Sequence, residues 1–256
     1  MLDRNRCPAC LSWCGFRYAG DEFQGCNTCG TIAAVNRRTT AQYDAAYVAA
    51  RYERYQTTRP MSMLRLSALH AVLHLYESLE KGEEKVQRGP LLDVGYGNGD
   101  FIRVARSNGW DAYGNDVNLT EYPGVRRMDL PNKPGFPYRY RVITFFDALE
   151  HFEDLMEARW CSHASDWLFL SFPAIPDSFP FDKSWKHYRP GEHHLHFQPS
   201  GLERIFSHNG RIAEIVYQGS PEDTIRKRWD PGKPNIWTVA LRCRSQTLPL
   251  GDGWSI

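Results

Sequence analysis

A glycine-rich turn at 91–100, with the sequence LLDVGYGNGD, is the first place where this chain could do chemistry. Gly95, Gly97 and Gly99 follow a short apolar run that is typical of a buried parallel strand. A turn without side chains lets the backbone approach a ligand closely. The spacing departs from the G-x-G-x-x-G pattern of dinucleotide enzymes, since Asp100 stands where the third glycine would be. The turn therefore predicts a ligand site that is not a dinucleotide site.

An acidic residue, Asp116, stands at the tip of the next strand-like run. It follows the glycine turn by about 20 residues, a position from which a carboxylate accepts hydrogen bonds from ribose hydroxyls. The alternative is an ordinary turn residue at a strand end. The glycine turn and Asp116 together favour a ligand that contains a ribose.

Paired cysteines form a second chemical pattern, because five of the seven cysteines precede Gly30. Cys7-x2-Cys10 and Cys26-x2-Cys29 are separated by fifteen residues, which is zinc-ribbon spacing. Each pair places two thiolates on one tight turn, and Gly30 suits the second turn because glycine tolerates a positive φ. The spacing predicts a closed, structural zinc site with four sulfur ligands; free buried cysteines are the alternative.

A proline-broken, aromatic segment at 173–199 is rich in histidine. Its histidines are His187, His193, His194 and His196. Long loops in compact domains usually have a function, so these residues are candidates for a general base or for substrate contacts. With Glu192 they could also form a second metal cluster, and an imidazole packed inward from a strand edge is the third possibility.

Apolar runs alternate with helical patterns from the glycine turn onward, which predicts a doubly wound α/β sheet. The strand-like runs cover 91–95, 111–117, 141–149, 166–174, 211–219 and 235–243. Before them, a helix is expected from Thr40 to Gln56, with Tyr43 and Tyr47 on one stripe. A second helix follows Pro60. Its apolar positions recur at helical spacing: Leu64, Ala68, Val72, Leu75 and Leu79.

Composition narrows the classes of protein further. With 256 residues and 42% hydrophobic content the chain can bury a full core. Lys and Arg (31) nearly balance Asp and Glu (30), so no overall field attracts nucleic acid or an anionic membrane. No apolar run approaches the roughly 20 residues that cross a bilayer, and no signal peptide is recognisable at the start. A cytoplasmic location without a membrane partner is expected.

These motifs together resemble those of the class I S-adenosylmethionine (SAM)-dependent methyltransferases. The resemblance is to the zinc-ribbon-bearing bacterial group of methyltransferase 23 type, and it covers most of the chain. It rests on the paired cysteines and on YDAAY, LLDVGYGNGDF, GWDAYGNDV, FFDALEHFED and HHLHFQPSGLERIF. It implies a Rossmann-like, doubly wound, mostly parallel sheet of seven strands, with an N-terminal zinc ribbon. The implied divisions are a ribbon at 1–38, a helical lid or linker at 39–89 and a SAM-binding domain at 90–256.

The resemblance also implies which residues surround SAM. The two tyrosines would form a lid, the glycine turn would line the methionine part, Asp116 would hold the ribose, and Asp129 would lie near the adenine. The implied set is Tyr43, Tyr47, Asp93, Gly95, Tyr96, Gly97, Gly99, Asp116, Val117, Asp129, Phe146 and Asp147. Only a short segment separates Asp116 from the next strand-like residues, so the third strand is expected to be short, displaced or irregular.

Methyl transfer from a sulfonium needs proximity and, for a weak nucleophile, a base. His151 stands just beyond the fourth strand of the expected fold, where acceptor and methyl group should meet, and Glu150 could orient it. His194 is the candidate base from the histidine-rich segment. The alternative is that Glu150 and His151 only brace the adjoining helix.

Three functions are compatible with these patterns. The first is a SAM-dependent methyltransferase acting on a small molecule, a sugar or a nucleotide-linked acceptor. The second is a nucleic-acid methyltransferase that uses the ribbon and a locally basic arm for binding. That arm contains Arg226, Lys227, Arg228 and Lys233. The third is a non-catalytic interaction module that keeps the fold.

Overall fold

A computed structural model describes residues 6–13, 16–18, 22–36, 43–53, 58–81, 86–133, 135–175, 183, 185–225 and 234–246. The basic arm expected from the sequence, with Arg226, Lys227, Arg228 and Lys233, lies outside the described residues. Among the described residues, no helix is long and apolar enough to cross a membrane.

The described part of the chain contains ten strands and six α-helices. In chain order the strands are β1 (Phe16–Tyr18), β2 (Phe23–Cys26), β3 (Ile32–Ala34), β4 (Pro90–Val94), β5 (Asp111–Asn115), β6 (Tyr140–Phe146), β7 (Ser165–Pro173), β8 (Leu195–His196), β9 (Arg211–Gly219) and β10 (Ile236–Ser245). The helices are α1 (Ala45–Glu53), α2 (Thr58–Lys81), α3 (Asp100–Ser107), α4 (Cys161–Ala164), α5 (Pro199–Phe206) and α6 (Pro221–Ile225). Two 3-10 helices span Leu149–His151 and Ala158–Trp160. All six strand-like runs of the sequence are strands.

The central sheet is mixed and has the order β5-β4-β6-β7-β10-β9. β5, β4, β6 and β7 are parallel, whereas β10 runs antiparallel to both of its neighbours. The carboxyl ends of β4, β5 and β6 therefore meet at one edge. In open α/β sheets, ligands bind outside this edge.

The expected seven strands are not shown, because the central sheet has six strands within the described part of the chain. Where a further strand was expected beside β5, a single parallel bridge joins Gly114 to Arg127. The segment between β5 and this bridge is too short for the dozen or more residues that a helical crossover requires. The expectation of a short, displaced or irregular third strand is confirmed.

The sheet is covered on both faces, since alternate residues of β4 enter different cores. Leu91 packs with α2 and α3 in one cluster. Leu92 and Val94 belong to the other cluster, which contains residues of α4, α5 and the cysteine-rich segment. The cysteine-rich segment thus packs into the core on the α4 and α5 side of the sheet.

Helix α2 buries a different stripe from the one that the sequence suggested. Val72 is buried as expected, but Leu75 and Leu79 are 58% and 76% exposed. The buried apolar positions of α2 are Met61, Leu66, Leu69, Val72 and Leu73. One turn later the buried position is Glu77, whose carboxylate forms an ion pair with Arg141 of β6. Because a charged residue continues the buried face of α2, the spacing of apolar residues alone predicted the wrong stripe.

The cysteine-rich segment forms a four-stranded antiparallel sheet with the order β1-β2-β3-β8. Its last strand comes from the histidine-rich segment of the expected SAM-binding domain. The backbone of Leu155 donates a hydrogen bond to the Pro8 carbonyl at 2.8 Å. Gly201 of α5 approaches Cys29 so closely that a Cβ there would lie 2.0 Å from the Cys29 carbonyl oxygen. The ribbon is therefore packed directly on the rest of the fold.

Candidate active site

A cavity of about 580 Å³ opens at the carboxyl ends of β4, β5 and β6. Its volume is in the range of small-molecule and cofactor sites. Eleven residues that the sequence singled out line it: Tyr43, Tyr47, Asp93, Gly95, Tyr96, Gly97, Asp116, Val117, Phe146, Asp147 and His151. Helix α2 contributes Met61, Ser62 and Arg65.

The glycine turn after β4 needs glycine at three alternate positions. Gly95, Gly97 and Gly99 have φ values of 74°, 56° and 75°, a region that side chains disfavour. A Cβ on Gly95 would also lie 2.6 Å from the Cβ of Ala148. Gly99 does not line the cavity and is instead the N-cap of α3. The turn thus exposes backbone to the cavity and then starts the helix.

The carboxylate of Asp116 is held at the tip of β5 by backbone groups. Its Oδ2 accepts a hydrogen bond from the Gly97 amide at 2.9 Å, and its Oδ1 accepts one from the Asn118 amide at 2.8 Å. Burial raises the pKa of Asp116, although these two hydrogen bonds oppose the shift. Arg127 donates to the Asp116 carbonyl at 2.7 Å and to the Tyr96 hydroxyl at 2.6 Å. This arginine, which the sequence did not single out, fixes the outer side of the site.

Asp93 is a buried carboxyl group in the floor of the cavity. Burial raises its pKa to about 7, against the effects of a 2.7 Å hydrogen bond from Thr144 Oγ1 and of the charge of Arg65. Near neutral pH the group exists in both protonation states. It can therefore donate or accept a hydrogen bond to a ligand.

Arg65 is the main cavity residue that sequence reasoning missed. Its Nη2 donates to Asp147 Oδ2 at 2.8 Å and its Nε donates to Glu222 Oε1 at 2.6 Å. Its guanidinium lies 4.6 Å from the centre of the Phe146 ring. Asp147 has a φ of 51°, which is strained for a residue with a side chain and is common at functional sites. Because Glu222 is distant in sequence, no local spacing indicates this arrangement.

Another wall of the cavity, here called the histidine wall, consists of Tyr43, Tyr47 and His151. The Tyr43 hydroxyl lies 2.9 Å from His151 Nδ1, and the two tyrosine rings meet edge to face at 5.2 Å. The Tyr47 hydroxyl donates to Glu192 Oε1 at 3.2 Å, and His151 Nδ1 lies 2.9 Å from the Glu192 carbonyl oxygen. The segment that starts α1 is thus tied to the histidine-rich loop across the cavity.

A family model described as a methyltransferase domain matches residues 62–211. This range is more than half of the chain and contains the glycine turn, Asp116 and His151. The chain belongs to this methyltransferase family. No curated protein matches the sequence significantly.

Several solved structures of methyltransferases are similar to the structure of this chain. One is the magnesium protoporphyrin IX methyltransferase from Synechocystis with bound SAM (17% identity, 73% of this chain, 80% of that chain, TM-score 0.44). Another is a SAM-dependent methyltransferase from Clostridium acetobutylicum (10% identity, 77% of this chain, 96% of that chain, TM-score 0.46). A third is the plantazolicin methyltransferase in complex with S-adenosylhomocysteine (13% identity, 78% and 90%, TM-score 0.47).

Asp129, Glu150 and His194, which the sequence also singled out, lie outside the cavity lining. Glu150 and His194 are buried, and the His194 amide donates to the Glu150 carbonyl at 2.7 Å. Their catalytic roles, and the adenine contact of Asp129, stay predictions. In the same loop, burial lowers the pKa of His187 to about 4 and that of His196 to about 3, so both imidazoles are neutral at pH 7.

The four paired cysteines of the methyltransferase come together in the ribbon. The Sγ atoms of Cys7 and Cys29 are 3.7 Å apart, those of Cys10 and Cys26 are 3.9 Å apart, and all four lie within 4.8 Å of one another. Sulfurs around a tetrahedral zinc with bonds of about 2.3 Å are separated by about 3.8 Å. The geometry therefore fits a zinc site with four thiolates and no open position.

The two cysteine turns have matching backbones. Leu11 and Gly30, each next to the second cysteine of its pair, have φ values of 60° and 69°. The Leu11 amide donates to the Cys7 carbonyl and the Gly30 amide to the Cys26 carbonyl, both at 2.9 Å. The positive φ expected at Gly30 is confirmed. No sequence pattern indicated that Leu11 would adopt the same conformation.

Proposed function

We propose that this protein is a SAM-dependent methyltransferase that acts on a small-molecule acceptor. The observation that carries the proposal is a single cavity that brings together the glycine turn, Asp116 and His151 in a member of the methyltransferase family. When bound, SAM supplies a methyl group that is activated by its attachment to a positively charged sulfur.

The cavity residues suit the separate parts of the cofactor. The backbone of the glycine turn would approach the methionine part, and the Asp116 carboxylate would accept hydrogen bonds from the ribose hydroxyls. The Tyr43 and Tyr47 rings would cover the site as a lid. Because Asp93 titrates near neutral pH, it can serve either as donor or as acceptor at the base of the cavity.

His151 is the residue that would activate the acceptor. It lines the cavity, and its Nδ1 is held by Tyr43 and by the Glu192 carbonyl. Its other ring nitrogen, Nε2, would promote loss of the acceptor's proton. Glu150, the neighbouring buried carboxylate, would contribute to this environment.

The ribbon would hold a structural zinc ion through Cys7, Cys10, Cys26 and Cys29. All four sulfurs are used in such a site, so the zinc would stabilise the fold rather than take part in the reaction.

Calorimetric titration of the purified, zinc-loaded protein with SAM and with S-adenosylhomocysteine tests the cofactor proposal. Wild type should bind both, whereas Asp116→Ala should weaken binding at least about tenfold through loss of charge-assisted hydrogen bonds. Gly97→Val should abolish it, because a side chain would occupy the turn.

Asp111→Ala is the matched control, since Asp111 lies at the opposite end of β5 and should leave affinity unchanged. Failure of the folded wild-type protein to bind either compound would reject the proposal.

A further inference from the structure

Three side chains that commonly bind metals meet where His151 of the histidine wall contacts the buried interior. A carboxylate oxygen of Glu150 and one ring nitrogen each of His151 and His193 lie within 4.8 Å of one another. Glu150 and His193 are only 1% and 2% exposed, whereas His151 lines the cavity. This cluster, here called the Glu-His-His cluster, is therefore buried on one side and open to the cavity on the other.

Backbone carbonyls determine which ring nitrogen of His151 and of His193 carries the hydrogen. His151 Nδ1 lies 2.9 Å from the Glu192 carbonyl oxygen, and His193 Nδ1 lies 3.1 Å from the His187 carbonyl oxygen. Because a carbonyl oxygen can only accept, we assign the hydrogen of each neutral ring to Nδ1 and the lone pair to Nε2. Histidines that bind metals are held in this way, with one ring nitrogen donating to a carbonyl or carboxylate.

The set of donors determines which ions would fit. Two imidazoles and one carboxylate suit divalent transition metals such as Mn²⁺, Fe²⁺ and Zn²⁺, and three protein ligands leave positions open for a substrate. Around an ion with bonds of about 2.1 Å, ligand atoms are about 3 to 4 Å apart. Small side-chain rotations would bring three atoms that lie within 4.8 Å into one coordination sphere.

We infer that Glu150, His151 and His193 bind a divalent cation whose open positions face the cavity and take an oxygen atom of the methyl acceptor. This inference rests on the proposed function and narrows the acceptor to compounds that present a hydroxyl group. His151 then activates the acceptor as a metal ligand instead of as a base.

The reaction that follows is balanced without a further reactant. A cation makes a bound hydroxyl more acidic, so its proton leaves to solvent water. The oxygen forms a bond to the methyl carbon while the carbon–sulfur bond breaks, and sulfur keeps the electron pair. The products are the methyl ether and S-adenosylhomocysteine.

Electron paramagnetic resonance of Mn²⁺ tests the site, because free and bound Mn²⁺ give different signals. Thiolates prefer zinc to Mn²⁺, so a full chain that carries only one equivalent of zinc has its four-cysteine site filled, and added Mn²⁺ then reports on the Glu-His-His cluster. Wild type should bind one Mn²⁺ per chain. His151→Ala and Glu150→Gln should each weaken that binding at least about tenfold, because each removes a ligand. His163→Gln, which changes a histidine outside the cluster, should bind Mn²⁺ as wild type does.

Two results would overturn the inference: no bound Mn²⁺ in wild type at millimolar Mn²⁺, or unchanged affinity in both ligand variants. His151 is only half-buried, so its variant serves if the buried Glu150→Gln chain does not fold. S-adenosylhomocysteine binding is measured in the same samples. A chain that binds S-adenosylhomocysteine but not Mn²⁺ disproves the metal site alone, whereas a folded chain that does not bind S-adenosylhomocysteine fails the proposed function as well.

Discussion

The ribbon cluster of four cysteines and the Glu-His-His cluster differ in how they meet the rest of the molecule. The ribbon cluster has four sulfur donors, all buried, and none of its residues lines the cavity. The Glu-His-His cluster has three nitrogen and oxygen donors, and His151 reaches the cavity wall. A closed donor set can only hold the chain together, while an open one can bind a ligand. The same fold thus carries one cluster suited to stability and one suited to chemistry.

The largest effect should come from breaking the ribbon cluster. Cys26→Ser should remove the bound zinc and lower the free energy of unfolding by at least about 3 kcal/mol, because the binding free energy of a structural zinc is larger than that. Metal analysis and denaturant unfolding measure the two effects. Cys243→Ser, a buried cysteine of β10 outside the cluster, should keep one zinc per chain. Retention of zinc by Cys26→Ser would contradict the four-cysteine site.

The contact between the ribbon and α5 offers a smaller perturbation. Gly201→Ala would place a methyl group 2.0 Å from the Cys29 carbonyl oxygen, so we expect destabilisation of about 1 to 3 kcal/mol. Replacing glycine by alanine inside a helix would otherwise stabilise the helix by about 1 kcal/mol. The sign of the change in unfolding free energy therefore shows whether the ribbon is tightly docked on α5. Denaturant unfolding measures it, with the exposed neighbour Ser200→Ala as control. A stabilised Gly201→Ala protein would show that the ribbon is not tightly docked.

At the Glu-His-His cluster, Tyr43→Phe tests whether the Tyr43 hydroxyl orients the His151 ring. The hydroxyl of Tyr43 lies against His151 Nδ1, which keeps the Glu192 carbonyl as a second partner. Loss of one of two partners should weaken Mn²⁺ binding about fivefold, less than loss of a sole outer partner. Affinity for S-adenosylhomocysteine should change little. Tyr138→Phe, at an exposed tyrosine outside the cavity lining, is the control, and equal Mn²⁺ affinity in both variants would argue against a role for Tyr43.

The smallest effect concerns acid stability at His208, which follows α5. Burial lowers the pKa of His208 to about 4, against about 6.5 in an unfolded chain. The unfolded chain therefore binds the proton more readily, so this contribution to stability is present above pH 6.5 and is lost as the pH falls towards 4. His208→Gln should reduce the pH dependence of the unfolding free energy by up to about 1.4 kcal/mol per pH unit in this range. The exposed His74→Gln is the control, and identical slopes for the two variants would refute the prediction.

Much of the fold was predictable because its signals are local. Each of the six apolar runs became a strand, and the glycine turn adopted the positive φ values that only glycine tolerates well. The short segment after Asp116 correctly indicated an irregular third strand, and the described residues form a central sheet of six strands instead of the seven that the resemblance implied. The predicted buried stripe of α2 was wrong at Leu75 and Leu79, because the buried face continues through Glu77, which forms an ion pair with Arg141.

The sequence by itself determined the pairing of the four cysteines, the glycine turn and the position of Asp116 at a strand tip. Within each Cys-x2-Cys pair, and within the glycine turn, the residues are neighbours along the chain, so local backbone geometry brings them together. Only the tertiary structure decided that Arg65 meets Asp147 and Glu222, that β8 completes the ribbon sheet, and that His193 joins Glu150 and His151. These contacts join segments far apart in sequence, and their partners are set by how helices and loops pack on the sheet, which no local spacing encodes.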